Sequence, residues 1–223
     1  MGIFTGTSVA VQAVAVDGGA APGGGTYGTT FSLNPAINGA GQVAFRADVV
    51  SVSASRGVFA GVAGAVQAVA LDGTTAPGGG LFDNLFNPML NGSGHVAFLA
   101  TLTGSGVTAA DNQGLYAGQA GGLVKIVRTG EQVDVDPGAG VDLRTVSSIG
   151  FNLTGLPGGE DGRGLAFNDS GLLAYRLFFT DGTSGVFTSQ FTPVPEPAAV
   201  GLLAASGLAT VGWLRRQGGR RRG

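Results

Sequence analysis

The stretch NPAINGAGQVAFRADVV, residues 34–50, sets the character of the chain. Asn38-Gly39 is a hairpin signal, because both residues tolerate the positive φ that a tight turn demands. Beyond it the sequence alternates with a period of two. Val43, Phe45, Ala47 and Val49 fall on one side of a strand, and Gln42, Arg46 and Asp48 on the other. The pattern then returns. NPMLNGSGHVAF (87–98) repeats it at a spacing of 53 residues, and NDSGLLAY (168–175) is a weaker third copy. In the same register Val96, Phe98 and Ala100, then Leu173, Tyr175 and Leu177, occupy the matching face. Asn38 with Gly41, Asn91 with Gly94 and Asn168 with Gly171 are therefore one turn used three times.

Two further segments repeat alongside it. VQAVAVDGGAAPGGG (11–25) recurs as VQAVALDGTTAPGGG (66–80). A Gly-apolar-aromatic element recurs as GIFTG at 2, GVFAG at 57, GLYAG at 114 and GVFTS at 185. Self-similarity at such a period means stacked supersecondary units. Each unit offers four strands: a short one before the Asn-Gly turn, the long one after it, the Gly-apolar-aromatic element and the VQAVA run. The expected fold is all-β, built of tandem four-stranded antiparallel repeats, propeller-like, with APGGG loops between units.

The repeat region is expected over 1–190, with units at about 31–83, 84–140 and 141–190 and a partial unit at 1–30. Two whole blades and two partial ones fall short of the roughly four that close a ring, so the propeller is expected to be incomplete. The chain opens on the third and fourth strands of a blade, and its first basic residue is Arg46. Upstream blades and a secretory signal peptide are therefore expected before Met1.

Composition agrees with a folded β-protein. Glycine (43 residues) and proline (9) together make about 23% of the 223 residues, under the roughly 25–30% at which disorder becomes the default. Hydrophobic residues at 43% can fill a core, and charged residues at 12% are scarce. The net charge of −2 hides an uneven distribution. Residues 194–223 hold five arginines against Glu196, a net of +4, so the remainder carries −6. A nucleic-acid binder needs clustered Lys and Arg on its body, so no nucleic acid is expected as a partner. Without cysteine the chain has neither disulfides nor thiolate metal sites, and it is safe in an oxidising compartment.

The C-terminus reads differently. Residues 191–197 form a linker ending in Pro195, Glu196 and Pro197, and residues 198–214 carry no charge. Arg215, Arg216, Arg220, Arg221 and Arg222 then crowd the basic tail, 215–223. The 17 uncharged residues span roughly 26 Å as a helix, close to the ~30 Å hydrocarbon core of a bilayer. Trp213 suits the interface, and the arginines can snorkel outward. A single transmembrane helix is expected, with the arginines held in the cytoplasm and the acidic body across the membrane.

Val194-Pro195-Glu196-Pro197, an apolar segment and an arginine cluster, in that order, look like the PEP-CTERM sorting signal of Gram-negative bacteria. The resemblance covers about 30 residues. It implies that a membrane exosortase recognises Pro-Glu-Pro and cleaves nearby. It also implies an inner-membrane anchor during export, a periplasmic body, and delivery to the cell surface or the extracellular matrix. The repeats, over about 2–190, are similar to bacterial proteins named for a tandem NxxGxxAF motif, many of which carry exchangeable C-terminal anchors. The third copy departs from that motif, with Tyr175 for Phe and an insertion around LTGLPGGEDGRG (153–164).

Reactive constellations are few. GGGTYG (23–28) fits GxGxxG, but TTFSLNP follows it, strand-like and then broken by Pro35, so GGGTYG reads as a loop with no helix to receive a phosphate. Asp134, Asp136 and Asp142 have calcium-like spacing. An EF-hand counted from Asp134 wants Gly and Glu where Ala139 and Thr145 stand, so only a looser calcium loop remains, and a solvated insertion is preferred. His95 is the sole histidine; its repeat equivalents are Gln42 and Leu172, so it reads as a strand-face residue. No GxSxG elbow accompanies it. Glu160 and Asp161 sit in a glycine-rich loop with nothing to split their pKa values, and turn formation accounts for Asp17 and Asp72. No cofactor and no catalytic residue are expected.

The sequence thus points to an exported, non-catalytic β-repeat protein with a structural or adhesive role. Its alternative is a carbohydrate- or calcium-binding module that contacts extracellular polysaccharide. Tyr27, Phe82 and Phe86, near the APGGG loops, are then the sugar platforms.

Overall fold

The computed structural model describes residues 1–32, 34–51, 53–136, 138–151 and 166–192. Pro195, Glu196, Pro197, the apolar run 198–214, the arginines from Arg215 to Arg222, and Glu160 with Asp161 lie outside the described residues. Among the described residues the chain is all-β, every pairing is antiparallel and no sheet closes on itself. No helix there is long and apolar enough to cross a membrane.

Strands β1 (Gly2–Thr7) and β2 (Ala10–Val16) form a hairpin. The first sheet follows: β3 (Thr26–Phe31), β4 (Ala36–Ile37), β5 (Val43–Val50), β6 (Arg56–Val62) and β7 (Ala65–Leu71). Its order is β3-β5-β6-β7, with β4 also on β5. The second sheet repeats it with β8 (Leu81–Leu85), β9 (Met89–Leu90), β10 (Val96–Thr103), β11 (Gln113–Gly118) and β12 (Val124–Arg128). The third consists of β13 (Gln132–Asp134), β14 (Leu143–Gly150), β15 (Leu172–Phe179) and β16 (Ser184–Gln190), in that order. In the third sheet a single bridge, Phe167 to Leu173, replaces the short strand before the turn.

One strand type escapes the alternation rule. Residues 26–31 are β3, so the strand-like TTF (29–31) is joined by Thr26, Tyr27 and Gly28 from the segment that reads as a loop, and β8 and β14 are its counterparts. Three successive positive-φ glycines, Gly23 to Gly25, turn the chain back so that it re-enters the sheet at Thr26. A register shift between Tyr27 and Phe31 then breaks the period-two pattern, which hides the strand from a simple reading.

The first two sheets are covered on both sides, and the third on the side that meets the second. The aromatic face of the first sheet (Tyr27, Phe31, Phe45 and Phe59) packs against Ile3, Val14 and Ala15 of the hairpin. Its other face, with Ala44, Val58 and Ala70, meets Phe82, Leu85, Phe98 and Tyr116 of the second sheet. The second sheet in turn presents Ala97, Leu99, Leu115 and Val127 to Leu173, Tyr175, Leu177 and Phe179 of the third. The "AF" of the repeated motif is thereby explained. Phe45 and Phe98 point backward to the preceding unit, while Ala44 and Ala97 point forward, where only a small side chain lets the next aromatic layer approach. Each fully buried Phe contributes about 1.5–3 kcal/mol from its apolar surface.

Candidate functional site

The repeated turn residues are brought together in space. In each turn the Asn side-chain oxygen accepts a backbone N–H four residues on: Gln42 to Asn38 Oδ1 at 3.0 Å, His95 to Asn91 at 2.9 Å and Leu172 to Asn168 at 2.9 Å. The closing glycine donates its N–H to the Asn carbonyl at 3.0–3.1 Å, and Gly41, Gly94 and Gly171 all hold φ near 80° (76°, 83° and 82°). Any Cβ there would be strained.

The same asparagines also join one sheet to the next. Asn38 Nδ2 donates to the Asn91 carbonyl at 3.1 Å, and Asn91 Nδ2 donates to the Asn168 carbonyl at 3.1 Å. The Asn91 carbonyl serves two donors, using both lone pairs. Asn38 and Asn91 are buried at 5% and 1% exposure, so the bond between them forms away from water, while the bond to the exposed Asn168 is only part-buried. Asp169, standing where the other turns have glycine, accepts the Gly92 N–H, and its carbonyl accepts Ser93 Oγ–H at 3.1 Å. This cross-repeat ladder has no signature in one repeat read alone.

Other polar links reinforce the junctions. Arg56 donates to Asn84 across the first junction, and Gln113 Oε1 accepts Ile149 N–H at 2.9 Å across the second. Arg128, 9% exposed, pairs with Asp111 at 2.8 Å and donates to the Gly79 carbonyl at 3.2 Å, pinning the second APGGG loop. Hydrogen bonds from Thr108, ahead of the charge of Arg128, lower the Asp111 pKa. Asp72 does more than turn the chain: its carboxylate accepts the N–H groups of Ser55 and Arg56 where β6 begins.

Beside the turn stack a cleft of about 200 Å³ opens between the first two sheets, with Gln42, Gln67, Leu90 and Gln119 among its lining residues. His95 lies at the head of β10, its ring 5.0 Å edge-on from Phe191, and burial lowers its pKa.

A larger open groove of about 760 Å³ borders the third sheet, lined by Asp134, Asp136, Asp142, Arg144, Phe179, Thr183, Val186 and Phe187, with others. Its carboxylates are already engaged. Asp134 Oδ1 accepts the N–H of Asp142 at 2.9 Å and of Asp136 at 3.1 Å, which lowers its pKa. Asp136 accepts Gly138 N–H at 2.7 Å, and Asp142 pairs with Arg144 at 2.7 Å. That hydrogen bond raises the Arg144 pKa, and Arg144 also donates to Thr183 Oγ1 at 2.8 Å. Asp181, whose pKa Thr183 lowers, completes the cluster 3.6 Å from Arg144. Among the described residues no group of three or more His, Cys, Asp or Glu is placed to hold a metal ion. Asp134, Asp136 and Asp142 instead fasten their own loop.

The sugar platforms expected from sequence need correction. Tyr27 and Phe82 are core rings, 4% and 2% exposed, and only Phe86 at 40% reaches solvent. The register shift in β3, and its counterpart in β8, turns these rings inward beneath the preceding unit.

No curated protein and no solved structure matches the chain. A family model covers residues 1–201, and the protein belongs to that family, one of unknown function designated DUF7453.

Proposed function

We propose that this is an exported, non-catalytic β-repeat protein, sorted through a C-terminal PEP-CTERM signal to the cell surface or extracellular matrix, where it acts structurally or adhesively. Its sheets act as blades of an incomplete propeller. Residues 198–214 serve as a transient inner-membrane helix, and Arg215, Arg216, Arg220, Arg221 and Arg222 hold the cytoplasmic end. The partners are the membrane and an exosortase-type enzyme that reads Pro195, Glu196 and Pro197.

One observation carries the non-catalytic reading. The groups shared by the repeats (turn asparagines, glycines, and the Ala-aromatic pair) are all engaged in capping, stacking and packing. Catalysis needs a reactive group with spare valence in a pocket, and the repeats share none. In a host with an exosortase, mass spectrometry of the C-terminus should show loss of the tail, and Glu196→Ala should block that loss. Full-length protein in a competent host would refute the sorting role.

The groove beside Arg144 and Phe187 favours a second reading, a module that binds carbohydrate. Calorimetry against polysaccharide decides it: absence of heat removes this reading.

A further inference from the structure

We infer that the cleft between the first two sheets is a binding site for a single neutral sugar unit, held by amide side chains. The two internal junctions are copies of one another, and they treat the same space in opposite ways. At the second junction the positions equivalent to Gln67, Leu90 and Ala120 hold Val124, Phe167 and Phe191. Those residues pack in one hydrophobic cluster, in which Phe191 is 2% exposed and lies edge-on to Phe167 at 6.3 Å. His95, the equivalent of Gln42, closes the space with its ring against Phe191. At the first junction the corresponding space stays open as the cleft of about 200 Å³. The fold can fill this space with rings, and between the first two sheets it does not. Unfilled space forfeits packing, so a junction that keeps it where its copy is filled is one shaped for a ligand.

The lining residues carry unused hydrogen-bonding groups. Gln67 and Gln119 border the cleft, and among the described residues neither side-chain amide has a partner. Gln42 is fixed from one side only. Its Oε1 accepts Asn38 Nδ2 at 2.7 Å, which leaves its own Nε2 hydrogens as donors. Gly94 lies against that amide: a Cβ would come within 2.6 Å of Oε1, so the turn glycine also makes room for Gln42. The counterpart of Gln119 in the third sheet is already engaged. Gln190 Nε2 donates to the Phe191 carbonyl at 3.2 Å and to the Ser170 carbonyl.

The ligand class follows from this chemistry. No charged residue lines the cleft, so an ion would enter without a counter-charge. A hydroxyl both donates and accepts, and a primary amide does the same, so neighbouring hydroxyls match these side chains. Val62, Val69 and Leu90 offer aliphatic surface to the C–H face of a ring. The volume lies below the roughly 300 Å³ at which drug-sized sites begin, which suits one ring and not an extended chain. The inference depends neither on the sorting proposal nor on the groove beside Arg144.

Saturation-transfer NMR on the full-length protein, in a detergent without a sugar headgroup, tests it with glucose, galactose, mannose and N-acetylglucosamine. At least one of these should bind saturably, with a dissociation constant of about 1 mM, and glucuronate should not. Ala120→Phe copies the plug of the second junction and should abolish the signal, with thermal unfolding no lower than the parent's. Gln67→Val copies Val124 and should weaken binding about tenfold. Gln67 is exposed, so this variant decides the matter even where the larger ring disturbs the fold. Arg144→Ala, in the groove of the third sheet, should leave binding unchanged. Silence from all four sugars, equal binding of glucuronate, or parental binding by Gln67→Val would overturn the inference. Loss of binding in Arg144→Ala alone would assign the sugar to the other groove and overturn it as well.

Discussion

Tyr27 and Phe59 meet edge-on at 5.1 Å and 74° in the first sheet; Phe82 and Tyr116 do so at 5.0 Å and 78° in the second. These are the same two positions with the hydroxyl exchanged between them. Neither hydroxyl has a hydrogen-bond partner among the described residues. The third sheet solves the same volume differently, with Val146 at the first position and Phe179 on the next strand, edge-on to Phe187 at 5.8 Å. Packing thus selects a ring pair and is indifferent to the oxygen. Tyr27→Phe and Tyr116→Phe should each raise stability by about 1 kcal/mol, read from urea midpoints, because an unpaired buried polar atom is removed. Burial pushes both phenols up to about 12, against 10.0 for a free tyrosine. The unfolded chain therefore releases these protons first, and stability is lost as pH rises from about 10 to about 12. The double Phe variant should show a flatter denaturation profile across that window. An unchanged profile would mean that folding does not raise these phenol pKa values.

The forward face of each sheet argues at the scale of elements. Ala97 is sealed between the second and third sheets, whereas Ala174, its equivalent, looks out from the last one. Ala97→Leu should cost about 1–3 kcal/mol through overpacking, and Ala174→Leu should stay within about 0.5 kcal/mol; denaturant unfolding of the pair measures the contrast. Equal costs would show that the sheets are not spaced by these alanines. Strands β5, β10 and β15 were legible in the sequence because one face is uniformly apolar and an Asx-led turn precedes each. Strands β3 and β8 were not, since a register shift interrupts each: in β3 Thr29, midway between the buried Tyr27 and Phe31, is exposed, and in β8 the buried Phe82 and Leu85 lie three residues apart. For that reason Tyr27 and Phe82 looked like surface platforms and are core.

At the scale of the whole molecule the asparagine ladder links the sheets. Which residues form each turn was readable from the repeat, but the bond from one turn to the next depends on how sheets stack, which no single repeat encodes. Asn91→Asp keeps the capping oxygen, removes the donor to the Asn168 carbonyl and sets a carboxylate against that carbonyl, so its cost combines the lost link with the charge it buries. It should lose about 2–3 kcal/mol, with the buried charge included, against about 1 kcal/mol for Asn168→Ala, whose side chain is exposed and only caps. Comparable losses would mean that the ladder carries no coupling. The meander has a last consequence. Every strand finds its partner among its near neighbours in sequence, so little loop-closure entropy separates the unfolded chain from each hairpin. A polypeptide emerging N-terminus first can close its hairpin, then lay down one sheet after another. Each new aromatic layer then lands on an alanine surface that is already built.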